Sequence, residues 1–150
     1  MYADFDFYQN RYYGDALTEA NANRWLSRAG DEIDALTFGR LVSAFPVTES
    51  DAEKVRKAVC AVADALFYTD VQRIAASAQK DADGQYHGAV SSVTSGKESV
   101  SYSVNGNAAT AYASAAANPD ALTALVRNIA VKYLANVPDA NGVNLLYAGV

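Results

Sequence analysis

The residues able to do chemistry are few. His87 is the only histidine and Cys60 the only cysteine, so a chain cannot build a two-histidine metal site by itself. His87 lies between Gly84 and Gly88, where a solvated loop imidazole is expected. Cys60 falls in an Ala- and Val-rich run and reads as a buried, inert thiol, not a nucleophile with a lowered pKa. Ser95-Gly96-Lys97 resembles a phosphate loop only superficially, because the glycines that cradle phosphate are missing. The carboxylates Asp31, Glu32, Asp34, Asp64 and Asp70 are placed by periodicity on the polar sides of helices, where solvation accounts for them. Carboxylates could in principle pair for acid–base work or share a metal, but no dinucleotide fingerprint or EF-hand spacing is present. The sequence therefore predicts no enzyme, no cofactor and no metal.

Composition narrows the remaining classes. The 150 residues make about one domain, with a core rich in small side chains. A net charge of −5, with twelve basic residues scattered among seventeen acidic ones, argues against gripping nucleic acid by its phosphates. One cysteine allows no intrachain disulfide. Neither a signal peptide nor a membrane-length apolar run is found, so a soluble protein without a membrane partner is expected.

The elements that would position these residues are mainly helical. Asp4 is a cap for a short helix over about 4–13 ending before Gly14, and Tyr2, Phe5, Phe7, Tyr8, Tyr12 and Tyr13 crowd it. So many rings predict a docked terminus, on its own subunit or on a neighbour. A second helix spans about 18–37, with Trp25, Leu26, Ala29, Ile33 and Leu36 at helical spacing, and stops near Gly39. Thr48 caps a third over about 49–80, which would be some 45–50 Å long at 1.5 Å per residue. Asn118-Pro119-Asp120 opens the last, over about 119–135.

Between the third and last helices the period changes. Ala89–Val93 and Val100–Val104 flank Thr94-Ser95-Gly96-Lys97, a β-hairpin signature over about 89–104. A lone hairpin is marginal in water, so it needs its own helices, a neighbouring subunit or a channel wall to lie against. The tail over 138–150 ends in the apolar Val143–Val150, suited either to docking on its own fold or to adding a strand to a partner's sheet. Val93, Gly96, Lys97, Val100 and Tyr102 of the hairpin and Leu145, Leu146, Tyr147 and Val150 of the tail are thus the candidate partner contacts.

The order of these segments resembles the small head–tail connector (adaptor, or head-completion) proteins of tailed bacteriophages. The resemblance is carried by Tyr12-Tyr13-Gly14, by Trp25–Asp34 with its Arg28-Ala29…Ile33-Asp34, and by Thr37. Val55–Asp64, with Cys60 and Asp64 in place, and Val90–Gly96 followed by Ser99–Tyr102 continue it. Val93 stands where the family's hairpin usually has a glutamate, so no role for that acid carries over. The likeness spans about residues 2–104, more loosely the last helix, and not the tail. It implies a helical bundle with a long central helix and an inserted hairpin, assembled as a dodecameric ring below the portal protein. Such a ring extends the channel through which DNA passes and docks a stopper or tail-completion protein. The implied location is the virion's head–tail junction, with synthesis in the host bacterial cytoplasm. Without the resemblance, the same residues fit a small helical oligomeric adaptor or regulator unrelated to virions.

Overall fold

The computed structural model describes residues 1–77, 79–80, 86–87, 92–95, 98–101 and 110–149. The described chain is mainly helical: α1 is Phe5–Asn10, α2 Glu19–Leu36, α3 Arg40–Ser43, α4 Glu49–Ala76, α5 Ala111–Ala117 and α6 Pro119–Leu134. None of the described helices is long and apolar enough to cross a membrane. Where the sequence reads as one domain, the chain divides into two compact units, Met1–Phe67 with Thr123–Val150, and Tyr68–Leu122.

The caps explain most helix starts. The Asp4 carboxylate accepts from the Phe7 N–H at 2.8 Å, Thr48 Oγ1 from Asp51 N–H at 3.3 Å, and Asn118 Oδ1 from Asp120 N–H at 2.9 Å. Each satisfies an amide that the first turn leaves without an intrahelical acceptor. At α2 the Asn21 side chain reaches back to the Thr18 N–H at 2.8 Å.

Several boundaries differ from the sequence-based expectation. α1 is six residues, not ten, because Tyr12 N–H and then Gly14 N–H turn back onto Phe7 O and Tyr8 O. Gly14 is not its left-handed cap; Tyr13 takes that conformation (φ 60°). The glycine is needed because a Cβ there would lie 2.1 Å from the Tyr8 ring. α4 ends at Ala76, four residues short of Lys80, and α6 ends at Leu134. The short helices α3 and α5 were not expected.

Only part of the expected hairpin falls on described residues. Ser92–Ser95 (β3) pairs antiparallel with Glu98–Ser101 (β4), Val93 opposite Val100. Thr94 and Ser95 belong to the strand, not to the turn. Two-residue segments, Gln79–Lys80 (β1) and Tyr86–His87 (β2), form another antiparallel ladder, so the His87 backbone is paired and not in open loop. In this same unit the Tyr68 and Tyr112 rings meet at 5.3 Å.

The first unit holds a dense core. α2 buries Ala22, Trp25, Leu26, Ala29, Gly30 and Ile33, one stripe at helical period. α4 is different: Ala58 through Ala63 are all buried in sequence, so this stretch is enclosed on every side. Small residues let neighbouring chain segments close around it. Trp25 meets Phe67 edge to face at 5.9 Å, and Arg24 and Arg28 lie over its indole at 5.0 and 5.2 Å. Val126, Ala130 and Leu134 of α6 complete the interior.

The tail is not extended. Asp139 N–H donates to Val143 O at 2.7 Å and Leu145 N–H to Val137 O at 2.9 Å, and Ala140 N–H reaches Ala44 O at 3.1 Å. The buried Asp139 carboxylate accepts from the Asn141 and Val143 amides, closing a tight loop. Val137 and Leu145 are fully buried. Of the two sequence-based alternatives, docking on the chain's own fold is the one observed for these residues.

Candidate assembly surface

Four rings of the N-terminal segment are absorbed by the fold. The Tyr2 ring stacks on Phe45 at 5.8 Å, and its hydroxyl donates to Asp34. Tyr8 is fully buried, and its ring lies 6.3 Å from Phe5 and 5.7 Å from Tyr12. The Tyr8 hydroxyl donates to Asp64 at 2.6 Å and accepts from the Ala16 and Leu17 amides at 3.0 and 3.1 Å. Tyr12 donates to the other Asp64 oxygen at 3.2 Å. Asp64 is therefore not a solvated helix carboxylate. Burial raises its pKa against the lowering effect of the two phenols, and burial followed by Asp64 raises both tyrosines. Cys60, fully buried, is pushed up to about 12 by burial and then by Asp64 and Asp4, so its thiolate is scarce at neutral pH. This cluster fastens the N-terminal segment to α4; its groups already partner one another.

Exposed aromatic surface lies on the outside, at the corner between α2 and α3. Gly39 N–H bonds Asp34 O at 2.9 Å and Phe38 N–H bonds Ala35 O at 3.3 Å, the paired bonds of a Schellman ending. The left-handed position of that ending usually holds glycine. Here it holds Phe38 (φ 54°), with Gly39 following at φ 71°. Thr37 is buried beneath, its hydroxyl donating to Ile33 O at 2.9 Å. A bulky side chain costs about 1–2 kcal/mol in this backbone region, yet the Phe38 ring gains little burial, being 60% exposed. Phe38→Gly should therefore be more stable than Phe38→Ala by about 1 kcal/mol in urea titration, because only glycine relieves the strain. Equal midpoints for the two would mean that the corner is unstrained.

Arg40 organises this edge. Its guanidinium lies 5.9 Å from the Phe38 ring centre and 5.8 Å from that of Tyr147, and it donates to the Tyr147 carbonyl. The end of the tail is thus clamped against the start of α3. Tyr147 is also exposed, whereas the exposed Val42 lines a different groove, the one beside Tyr2. Under the Phe38 ring a cavity of about 270 Å³ is lined by Leu36, Phe38, Arg127, Val131, Leu146 and Ala148. A larger groove, about 450 Å³, lies beside Tyr2 and carries Asp31 and Asp34.

The candidate contacts named from sequence separate accordingly. Leu145 is fully buried in its own fold. Leu146 lines the cavity and Tyr147 is exposed beside Arg40. Val93 and Val100 sit opposite each other in the paired strands. Gly96, Lys97, Tyr102 and Val150 lie outside the described residues. Phe38, Arg40, Tyr13 and Arg127 were missed. A signal did exist for two of them: Tyr13-Gly14 and Phe38-Gly39 are aromatic–glycine pairs at helix ends, and Tyr13 and Phe38 are the non-glycine residues with positive φ among those described.

No protein-family model matches the chain, and neither the curated proteins nor the solved structures compared with it gave a match.

Proposed function

We propose that this protein is a structural connector subunit that assembles into a ring below a phage portal and docks a stopper or tail-completion protein. The observation that carries the reading is the exposed aromatic edge of Phe38 and Tyr147, both held by Arg40. A side chain held at a conformational cost without burial points to a contact made in an assembly. The sequence resemblance supplies the kind of assembly, and the negative net charge suits a channel wall that DNA must pass without adhering. The paired β3–β4 segment, as an inserted hairpin, is a second element for a neighbour or the channel. The ring is a dodecamer in this reading, at the head–tail junction of the virion.

The test is to mix the purified chain with portal assemblies and image them by cryo-electron microscopy. A ring of this protein on one end of the portal is the expected result. A particle that stays strictly dimeric at high concentration and leaves portals bare would overturn the reading. It would favour the second one, a small helical adaptor or regulator unrelated to virions.

A further inference from the structure

Tyr13 is the counterpart of Phe38 at the end of α1. It too is held in the left-handed region (φ 60°) and is 80% exposed, and it makes no hydrogen bond or ring contact among the described residues. Asp15, two residues on, is exposed and forms no ion pair with any described residue. The first unit thus presents an exposed aromatic side chain with a negative charge beside it.

The same unit carries a hole of matching character. The cavity lined by Leu36, Phe38, Val131, Leu146 and Ala148 has about 270 Å³, room for about nine waters at ~30 Å³ each, or for one aromatic ring. Its one charged lining residue is Arg127, which makes no ion pair with a described residue. An apolar slot with a cation at its edge suits a tyrosine followed by an aspartate. The larger groove beside Tyr2 does not suit it, because Asp31 and Asp34 line that groove and would repel Asp15.

We infer that Tyr13 of one copy seats in the Leu36–Val131–Ala148 cavity of the next, with Asp15 against Arg127. The two surfaces are made of different residues, so the contact is head-to-tail and propagates until it closes. The backbone that carries Tyr13 is already held by its turn onto α1, so docking has mainly side-chain freedom to order. The inference rests on the ring reading only in needing a head-to-tail contact, and it specifies that contact.

Disulfide trapping tests it. Full-length Tyr13→Cys is mixed with full-length Ala148→Cys under mild oxidation; Cys60 is buried and stays silent in both. Cross-linked dimer should form in the mixture and not in either variant alone. A second arm uses charge: Arg127→Asp should weaken self-association in sedimentation by about fivefold or more, and Asp15→Arg mixed with Arg127→Asp should restore it. Cross-linking in Tyr13→Cys alone, or none in the mixture, overturns the inference. Rings that form on portals equally well with Arg127→Asp overturn it while leaving the connector reading intact. Mixed cross-links with bare portals would uphold it and remove the connector reading.

Discussion

Tyr8→Phe should destabilise the protein by about 3 kcal/mol, far more than one hydroxyl usually contributes. The phenol oxygen donates to Asp64 and accepts from the Ala16 and Leu17 amides, so its removal strands three partners in or beside the core. Each buried group left unpaired costs about 1–3 kcal/mol, partly offset where water reaches it. Tyr12→Phe removes one longer bond to the same carboxylate and should cost about 1 kcal/mol. In thermal unfolding the first variant should lose about 10 °C and the second about 3 °C. Similar losses for both would mean that the Tyr8 hydroxyl is not the hub of this cluster.

The second large effect concerns the tail. A chain ending at Gly142 loses Leu145 from the core, the Leu145–Val137 backbone bond and the Asn144 amide donated to Ala135 O at 2.6 Å. Deleting a buried leucine alone costs about 2–5 kcal/mol, so a loss of about 4 kcal/mol or more is expected. A chain ending at Tyr147 keeps all of these and should unfold within about 0.5 kcal/mol of the parent. Urea midpoints decide between them: a Gly142-terminated chain with the parent's midpoint would show that the loop closed by Asp139 is not part of the core. Deletion of the whole tail is therefore unsuitable for probing partner binding, since it would confound docking with folding.

Much of the helical layout was legible because helix ends are local. Asp4, Thr48 and Asn118 sit within three residues of the amides they cap, and a short window of sequence contains the whole interaction. The stripe on α2 was equally plain. What was not legible depended on distance along the chain. Asp64 reads as polar surface from its own helix, and nothing nearby reveals that Tyr8, 56 residues earlier, carries its hydrogen bond. The apolar tail was visible as a stretch that needed cover, but Val137 as its backbone partner was not. The enclosed segment of α4 gives no stripe to read, because its alanines, on any face, look neutral to periodicity. The candidate surface was obscured for the opposite reason: Phe38 and Tyr13 sit where glycine is the expected residue, and a bulky ring followed by glycine reads as an ordinary helix stop.

Trp25, the chain's sole tryptophan, is buried against Phe67 with two guanidinium groups over its face. Its fluorescence is accordingly a private signal of the Met1–Phe67 and Thr123–Val150 unit, with no contribution from an indole in Tyr68–Leu122. Recorded beside far-ultraviolet dichroism, which sums over every helix, it turns one denaturation experiment into a test of whether the two units melt in a single cooperative step.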